Sequence, residues 1–344
     1  MNAMRSERRD QLFLTVVLLG IAALWLMPHD ACGAGPGQAA YTFLKVGTDA
    51  RAEGMGGAYV GLADGLGALT YNPGGLAFLA PRQFIATYNN WLTDIQSGFV
   101  GGTWGFGETD RIGVAAQYLD YGSFRAANAD GSARPVFGAS DFALALSWAR
   151  PVLGQEEQPE MLGSTPAEDS ERHRVVSRSG IGASVRLITE SIDNQSSWAI
   201  AFDLGFLHRF PDGHTQIGVA VRNAGFQMKA FGEGAKDKLP ITGVIGFSHQ
   251  LRGAPVLFAI DAMKSHDSKF GAAFGAEISA LNPLLLRVGY NTLGGQIDTG
   301  TSSDKLSGLS LGAGFTKSRV TIDYAFAFMS KLGSTHRFTI HSSF

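Results

Sequence analysis

The sequence predicts an all-β protein, a transmembrane antiparallel β-barrel of about fourteen strands with a small N-terminal helical or loop plug in its lumen. Three observations lead to this prediction. Segments that alternate large apolar residues with small or polar ones repeat from Gln83 to the last residue. A glycine-rich segment that fits neither a helix nor a strand precedes them. The chain has 45 glycines among 344 residues, without a collagen-like period, so they need a structural reason.

The alternating segments are about 8 to 14 residues long, as expected of strands that face lipid on one side and a lumen on the other. In Phe270–Ala280, phenylalanine and isoleucine alternate with glycine, alanine and one glutamate. A soluble β-sandwich or propeller is the alternative, but its solvent face would carry more lysine, glutamate and threonine. An open membrane sheet is excluded because hydrocarbon cannot satisfy the backbone groups of an edge strand.

Residues 1–33 are predicted to be a signal peptide. A basic segment, Arg5–Arg9, precedes the apolar run Leu12–Met27, which is shorter than the ~20 residues of a membrane-spanning helix. Small residues follow, and cleavage is expected between residues 33 and 40. A signal anchor and lipoprotein processing at Cys32 are the alternatives. Together with the barrel pattern, the signal predicts the outer membrane of a Gram-negative bacterium as the location.

The plug is predicted over residues 41–80 and the barrel over residues 81–344. Small residues in the plug let short helices pack in a confined space. The run Asn-Pro-Gly-Gly predicts a turn, because asparagine, proline and glycine each favour turn conformations. A phosphate-binding loop is excluded because no glycine pattern of that kind occurs at a strand–helix junction. The plug and turn residues singled out are Gly54, Gly56, Gly57, Asn72, Pro73, Gly74 and Gly75.

Charged residues fall on the small-residue face of several predicted strands. They are Arg186, Asp203, Arg222, Asp261, Glu277, Arg287 and Asp323. On the lipid face each would cost about 2–4 kcal/mol near the midplane, so we expect these side chains to point into the lumen. Two interpretations stay open: the charges pair with one another and with the plug, or they line a polar path or binding site.

Connection lengths predict the orientation of the barrel. With an even number of strands both barrel ends lie in the periplasm, where turns are short, and longer loops face outward. Residues 152–178 depart from this rule because they form a long loop on the predicted periplasmic side. Either this loop is an insertion, or the strand count fails there.

The protein is expected to contact outer-membrane lipid and the barrel-assembly machinery. Phe344 is the last residue, and the apolar residues Phe338 and Ile340 precede it at positions that would lie on the same face of the last strand. This ending resembles the terminal signal that the assembly machinery recognises.

Composition and motifs exclude several functional classes. A formal net charge of -2 gives no basic footprint for nucleic acid. The 8 histidines are scattered without metal-ligand spacing, so neither a metal nor a cofactor is predicted. His249, Asp261 and His266 lie near neighbouring strand ends, but no motif marks a nucleophile, and no enzyme activity is predicted.

The plug segment Gly47–Ala77 resembles the N-terminal signature of the PorV/PorQ family of outer-membrane barrels. Asn72–Leu76 matches the family's NPAGL-like element except at Gly74. Further matches follow in the expected order: AFDLG at 201–205, VRNAG at 221–225, LRVGY at 286–290, IDYA at 322–325 and LGSTHR at 332–337. The resemblance covers about Tyr41–Phe344 and implies a FadL-like barrel of fourteen strands with an N-terminal plug. The insertion at residues 154–178 looks longer than the family's usual turn.

This resemblance implies a component of a type IX-like secretion system, which docks or shuttles secreted cargo proteins and contacts secretion-system subunits. The alternative is a FadL-like channel for hydrophobic small molecules, which requires an apolar pocket between plug and barrel. A structural barrel without transport is the third hypothesis.

Overall fold

The computed structural model describes residues 39–344, except 93–94, 128–129, 131, 134, 157–174, 233–235, 282 and 297–301. The predicted signal peptide, residues 1–33, and most of its cleavage region lie outside the described residues. The strands, contacts and cavities reported below belong to the described part of the chain.

Fourteen strands form one closed antiparallel barrel, which confirms the predicted fold class. Each strand pairs with its neighbours in sequence, and the first pairs with the last. The strands are β1 (Gln83–Asn90), β2 (Gln96–Phe106), β3 (Asp110–Phe124), β4 (Phe137–Glu156), β5 (Val175–Ile192), β6 (Gln195–Arg209), β7 (Thr215–Lys229), β8 (Thr242–Gln250), β9 (Val256–Ser265), β10 (Gly271–Leu281), β11 (Leu284–Asn291), β12 (Leu309–Lys317), β13 (Val320–Phe328) and β14 (Ser334–Ser343).

The two ends of the barrel differ in their connections. At the terminal end, β1 begins and β14 ends, and Gln83 pairs with Ser343. Short turns such as those between β10 and β11 and between β12 and β13 lie there. At the opposite end, which we call the loop end, the connections after β3, β7 and β11 are longer.

Side chains alternate between the exterior and the lumen along the strands. In β10, Phe274 and Ile278 are exposed, whereas Ala273 and Gly275 are buried. Bulky apolar side chains of this kind recur on the outer face of the other strands. Because closure leaves no unpaired edge and the exterior is apolar, this surface suits a lipid environment.

Strands β4 and β5 continue into the segment 152–178, which the sequence predicts as a loop. Gly154 pairs with Ser177 and Glu156 with Val175, after register shifts that begin at Pro151. Proline has no backbone N–H, so it cannot donate to the ladder there. The centre of this segment, residues 157–174, lies outside the described residues.

The plug, residues 41–80, lies inside the barrel. It consists of a 3-10 helix Thr42–Lys45, two short α-helices Ala50–Gly54 and Ala68–Tyr71, and a 3-10 helix Pro73–Phe78. Helix Ala50–Gly54 packs on β11 to β14, and helix Pro73–Phe78 packs on β3 to β6. Three more 3-10 helices, Gly294–Gln296, Ser302–Leu306 and Ser330–Leu332, belong to the loop end. None of the helices in the described ranges is both long and apolar enough to cross a membrane.

Candidate functional site

The plug lies between two cavities of the lumen. The cavity at the loop end has a volume of about 590 Å³ and is lined by the start of the plug and by the loop-end parts of the strands. The cavity at the terminal end has a volume of about 340 Å³ and lies between the plug and strands β10 to β14. A molecule that enters from the loop end therefore meets the first cavity and then the plug.

Much of the loop-end cavity is apolar. Its apolar lining includes Phe43, Leu44, Trp91, Ile95, Leu119 and Met263. Phe43 and Leu44 belong to a buried cluster with Leu119, so the first helix of the plug and β3 together form this wall. Such a surface can bury an apolar ligand, and the volume lies in the range of ligand pockets, about 300–1,000 Å³.

The charged side chains of this cavity have partners. Lys45 forms an ion pair with Asp267 in the β9–β10 loop. Arg337 of β14 forms an ion pair with Glu53 of the plug. Neither pair carries a net charge, so neither favours an ionic ligand. Arg222 is the remaining charged side chain of the lining.

Arg222 is held differently. Its guanidinium lies over the ring of Tyr71, 5.6 Å from the ring centroid, next to a β-bulge of β7. At the bulge Asn223 has a φ of 57°, which is unusual for a residue other than glycine, and its N–H donates to Asp203 Oδ1 at 2.7 Å. Arg186 Nη2 lies 2.7 Å from Asp203 Oδ2, so an ion pair of β5 and β6 fixes the bulge.

Ion pairs join the plug to the wall at the terminal end. Arg51 Nη1 lies 2.6 Å from Asp64 Oδ1, and its Nε lies 2.8 Å from Glu277 Oε2. Arg287 Nε lies 2.6 Å from the same Glu277 oxygen, and its Nη1 lies 2.6 Å from Asp323 Oδ1. Glu277 therefore bridges an arginine of the plug and an arginine of the wall.

Asp261 holds a turn of the plug without an arginine partner. Its Oδ2 accepts the N–H groups of Tyr59 and Val60 at 2.8 and 2.7 Å, and its Oδ1 accepts that of Gly61 at 3.4 Å. A single β9 carboxylate thus satisfies three consecutive backbone donors that would otherwise be buried without partners.

The structure places all seven charged residues from the sequence analysis in the lumen. Arg186, Asp203, Asp261, Glu277, Arg287 and Asp323 are buried, and Arg222 is half-buried. They form two groups, one around the β7 bulge and one at the terminal-end cavity, with Asp261 between them on β9.

The glycines of the plug lie close to the wall. Gly56 and Gly57 have positive φ angles of 69° and 84°, which favour glycine. A Cβ at Gly54 would lie 3.0 Å from Gly312 Cα, and one at Gly74 would lie 2.9 Å from the backbone of Gly205. A bulkier residue at these two positions would separate the plug from its wall.

Asn72 does more than begin a turn. Its Oδ1 accepts the Gly74 N–H at 3.1 Å, and its Nδ2 donates to Val60 O at 2.8 Å and to Phe206 O at 3.0 Å. It therefore ties two parts of the plug to β6. Pro73 and Gly75 lie in the 3-10 helix that follows. At the other end of the chain, Phe344 is exposed, and its N–H donates to Arg82 O at 3.2 Å.

Sequence reasoning missed the plug's own charged residues as partners of the wall. Arg51, Glu53 and Asp64 pair with other charged residues in the lumen, and Asp49 Oδ1 lies 3.4 Å from His341 Nε2. The plug sequence could have indicated this pairing. It carries both acids and an arginine in a segment that is predicted to lie inside a barrel, and buried charges need partners. His341 also lies in this region, although its spacing in sequence gave no indication of a site.

Comparisons with known proteins identify the fold but give no match by sequence. No family model matches the chain, and no curated protein matches it. Similar solved structures include the Ralstonia pickettii toluene transporter TbuX, with a TM-score of 0.55, 14% identity, and coverage of 87% of this chain and 98% of that one. The Pseudomonas putida toluene transporter TodX has a TM-score of 0.55 and 12% identity, with coverage of 85% of this chain and 95% of that one. A Pseudomonas aeruginosa FadL homologue has a TM-score of 0.50 and 11% identity, with coverage of 86% of this chain and 98% of that one.

These similarities confirm a FadL-like fold and correct the family expected from the sequence. The neighbours are hydrocarbon transporters of the FadL type, so the resemblance to the PorV/PorQ family is wrong. The short motifs behind that resemblance, such as AFDLG and LRVGY, are ordinary sequences for barrel strands, which explains why they misled. The secretion-system hypothesis depended on that resemblance and loses its support, whereas the similar structures favour the alternative, a channel for hydrophobic small molecules. The similar proteins are transporters rather than enzymes.

Proposed function

We propose that this chain is an outer-membrane channel that takes up small hydrophobic molecules in a Gram-negative bacterium. The observation that carries the proposal is the loop-end cavity of about 590 Å³, which lies between the plug and an apolar wall. The FadL-like fold shared with the toluene transporters supports it.

The chemistry of the cavity favours an uncharged, apolar ligand. Burial of apolar surface stabilises the bound state by roughly 25 cal/mol per Å². Trp91 adds an aromatic side chain that suits an aromatic hydrocarbon. The charged groups there are paired or stacked, so a neutral ligand leaves their contacts intact.

The same proposal assigns the outer surface and the two ends of the chain. The apolar exterior would contact outer-membrane lipid, residues 1–33 would direct export, and Phe344 would be recognised by the barrel-assembly machinery. The plug would restrict passage, because it separates the two cavities.

Binding of toluene to the purified protein in detergent tests the proposal. Trp91 lines the cavity, so we expect its fluorescence to change on titration, and a Trp91→Phe variant should lose that signal. Leu293→Asp places a carboxylate in the cavity lining, and we expect at least ~10-fold weaker binding because the ligand would desolvate the charge.

Leu251→Asp is the matched control, since Leu251 is an exposed turn residue at the terminal end, outside both cavities. It should bind toluene as the unchanged protein does. If toluene does not bind, or if both leucine variants bind equally well, the channel hypothesis is wrong and a structural barrel becomes the better explanation.

A further inference from the structure

Three side chains of metal-ligand type meet where the plug contacts the last two strands. Asp49 comes from the plug, Asp323 from β13 and His341 from β14. His341 Nε2 lies 3.4 Å from Asp49 Oδ1 and 3.4 Å from Asp323 Oδ2. The site is buried, because both aspartates have 0% of their surface exposed.

In this cluster, polar atoms are buried without a hydrogen-bond partner among the described residues. They are Asp49 Oδ2, Asp323 Oδ2 and His341 Nε2. The other oxygen of each carboxylate is held: Asp49 Oδ1 accepts the Arg51 N–H at 2.9 Å, and Asp323 Oδ1 accepts from Arg287 at 2.6 Å. Buried polar atoms usually have partners, and Asp323 Oδ2 and His341 Nε2 face each other at 3.4 Å without a hydrogen bond, so these two atoms indicate a missing ligand. Asp49 would bind the same ligand through Oδ1, the atom that lies 3.4 Å from His341 Nε2.

The charges around the cluster do not balance. Three guanidinium groups share this part of the lumen with four carboxylates, which leaves one negative charge in excess while His341 is neutral. The residues concerned are Arg51, Arg287, Arg319, Asp49, Asp64, Glu277 and Asp323. A cation bound beside the two aspartates would offset that excess.

We propose that Asp49, Asp323 and His341 bind one divalent transition-metal ion of the Zn²⁺ type. Tetrahedral Zn²⁺ with bonds of about 2.0–2.1 Å holds neighbouring ligand atoms about 3.3 Å apart, close to the two distances from the histidine. One imidazole and two carboxylates suit Zn²⁺ better than Mg²⁺ or Ca²⁺, which prefer sites made of oxygen ligands alone.

The neighbouring residues supply an entry path and a second layer of contacts. His341 and Asp323 line the terminal-end cavity, so a metal ion can arrive there and keep a water molecule as its fourth ligand. Arg287 and the Arg51 N–H orient the two carboxylates. The metal would join the plug to β13 and β14 and so would hold the plug in the barrel.

Calorimetric titration of Zn²⁺ into the full-length protein in detergent, after chelator treatment, tests the proposal. We expect one Zn²⁺ per chain and a higher unfolding temperature with Zn²⁺ than without it. His341→Gln and Asp323→Asn should weaken binding by at least about 100-fold. An excess of Mg²⁺ should not compete.

His214→Gln is the matched control, because His214 lies in a turn at the same end of the barrel but away from the cluster. It should bind Zn²⁺ as the unchanged protein does. If either variant does not fold, anomalous scattering from Zn²⁺-soaked crystals of the unchanged protein decides: a peak among the three side chains supports the site, and none overturns it. Failure to bind Zn²⁺, or equal binding by His341→Gln, also overturns the proposal.

Discussion

The two sides of the lumen hold the plug by different means. On the apolar side, formed by β1 to β6, Leu66, Leu69 and Leu76 of the plug pack in one buried cluster with apolar wall residues such as Phe99 and Ala115. On the charged side, formed by β9 to β14, the ion pair of Arg51 with Glu277 joins plug and wall. Apolar packing has no preferred direction, whereas charged hydrogen bonds do. The charged side therefore fixes where the plug sits, and the apolar side supplies burial.

Two wall glycines, one on each side, differ in what they approach in the plug. On the charged side a Cβ at Gly289 would lie 2.0 Å from Gly56 N, which is backbone and cannot move away. On the apolar side a Cβ at Gly113 would lie 2.4 Å from Leu69 Cδ2, the end of a flexible side chain. The plug can therefore adjust at Gly113 but not at Gly289. Within the apolar side, β5 also approaches plug backbone closely, because a Cβ at Gly182 would lie 2.3 Å from Pro73 O.

The largest expected effect comes from removing the buried arginine of the charged side. Arg287→Gln would leave Asp323 and Glu277 short of a partner, and loss of one member of a buried pair costs about 3–5 kcal/mol. Urea unfolding of the barrel in detergent micelles measures this loss. Addition of Asp323→Asn should recover part of it, because the unpaired charge is then removed.

The control for that prediction is an exposed arginine. Arg150 pairs with Asp110 at the terminal end, and its side chain is 54% exposed. Arg150→Gln should change the free energy of unfolding little, since solvent screens such pairs. Equal losses in the two variants would contradict a special role for the charged side.

A pair of glycine substitutions compares the two sides directly. Gly289→Ala should lower the free energy of unfolding by about 1–3 kcal/mol, because the methyl group would push the plug backbone away from β11. Gly113→Ala should cost less, since Leu69 can adopt another rotamer. The same urea titration measures both variants, and Gly98→Ala, with only one contact at 3.8 Å, serves as the control. A larger loss for Gly113→Ala would reverse the comparison.

The sequence predicts the barrel well because strand alternation is a local property that lipid and lumen impose on every strand. The ladder pairings of β4 and β5 beyond Pro151 were missed, because no alternation marks them. The same local rule suggested that charges such as Glu277 face inward. It could not indicate that Glu277 meets Arg51, because residues far apart in sequence are brought together only when the plug enters the barrel.

The loop-end cavity was even less accessible to sequence reasoning. Phe43, Trp91 and Leu119 come from three separate segments, and nothing local to any of them marks a shared wall. The short motifs, in contrast, looked specific and indicated the wrong family. In a barrel, strand motifs report the environment of each strand rather than its function, and the function depends on what the plug leaves open.

The smallest expected effect concerns the ion pair at the loop end, which lies away from the buried charges of the terminal end. Burial would raise the pKa of Asp267, but its hydrogen bond and charge interaction with Lys45, and the Ser265 hydroxyl, lower it below its usual value. A lowered pKa in the folded state means that the pair stabilises the protein above the unfolded pKa, about 3.9, and that this contribution disappears as the pH falls through the folded pKa.

Asp267→Asn should therefore lower the unfolding temperature slightly at neutral pH and by progressively less as the solution becomes more acidic than about pH 4. Lys45→Met removes the same contact from the plug side and should show the same convergence with the unchanged protein. Thermal unfolding of the three proteins across a pH series measures this. A difference that persists unchanged in acid would mean that Asp267 acts through packing of the loop rather than through its charge. The contact of Lys45 with this loop would then resemble those of the apolar side, and the Glu53–Arg337 ion pair would remain as a directional contact of the plug at the loop-end cavity.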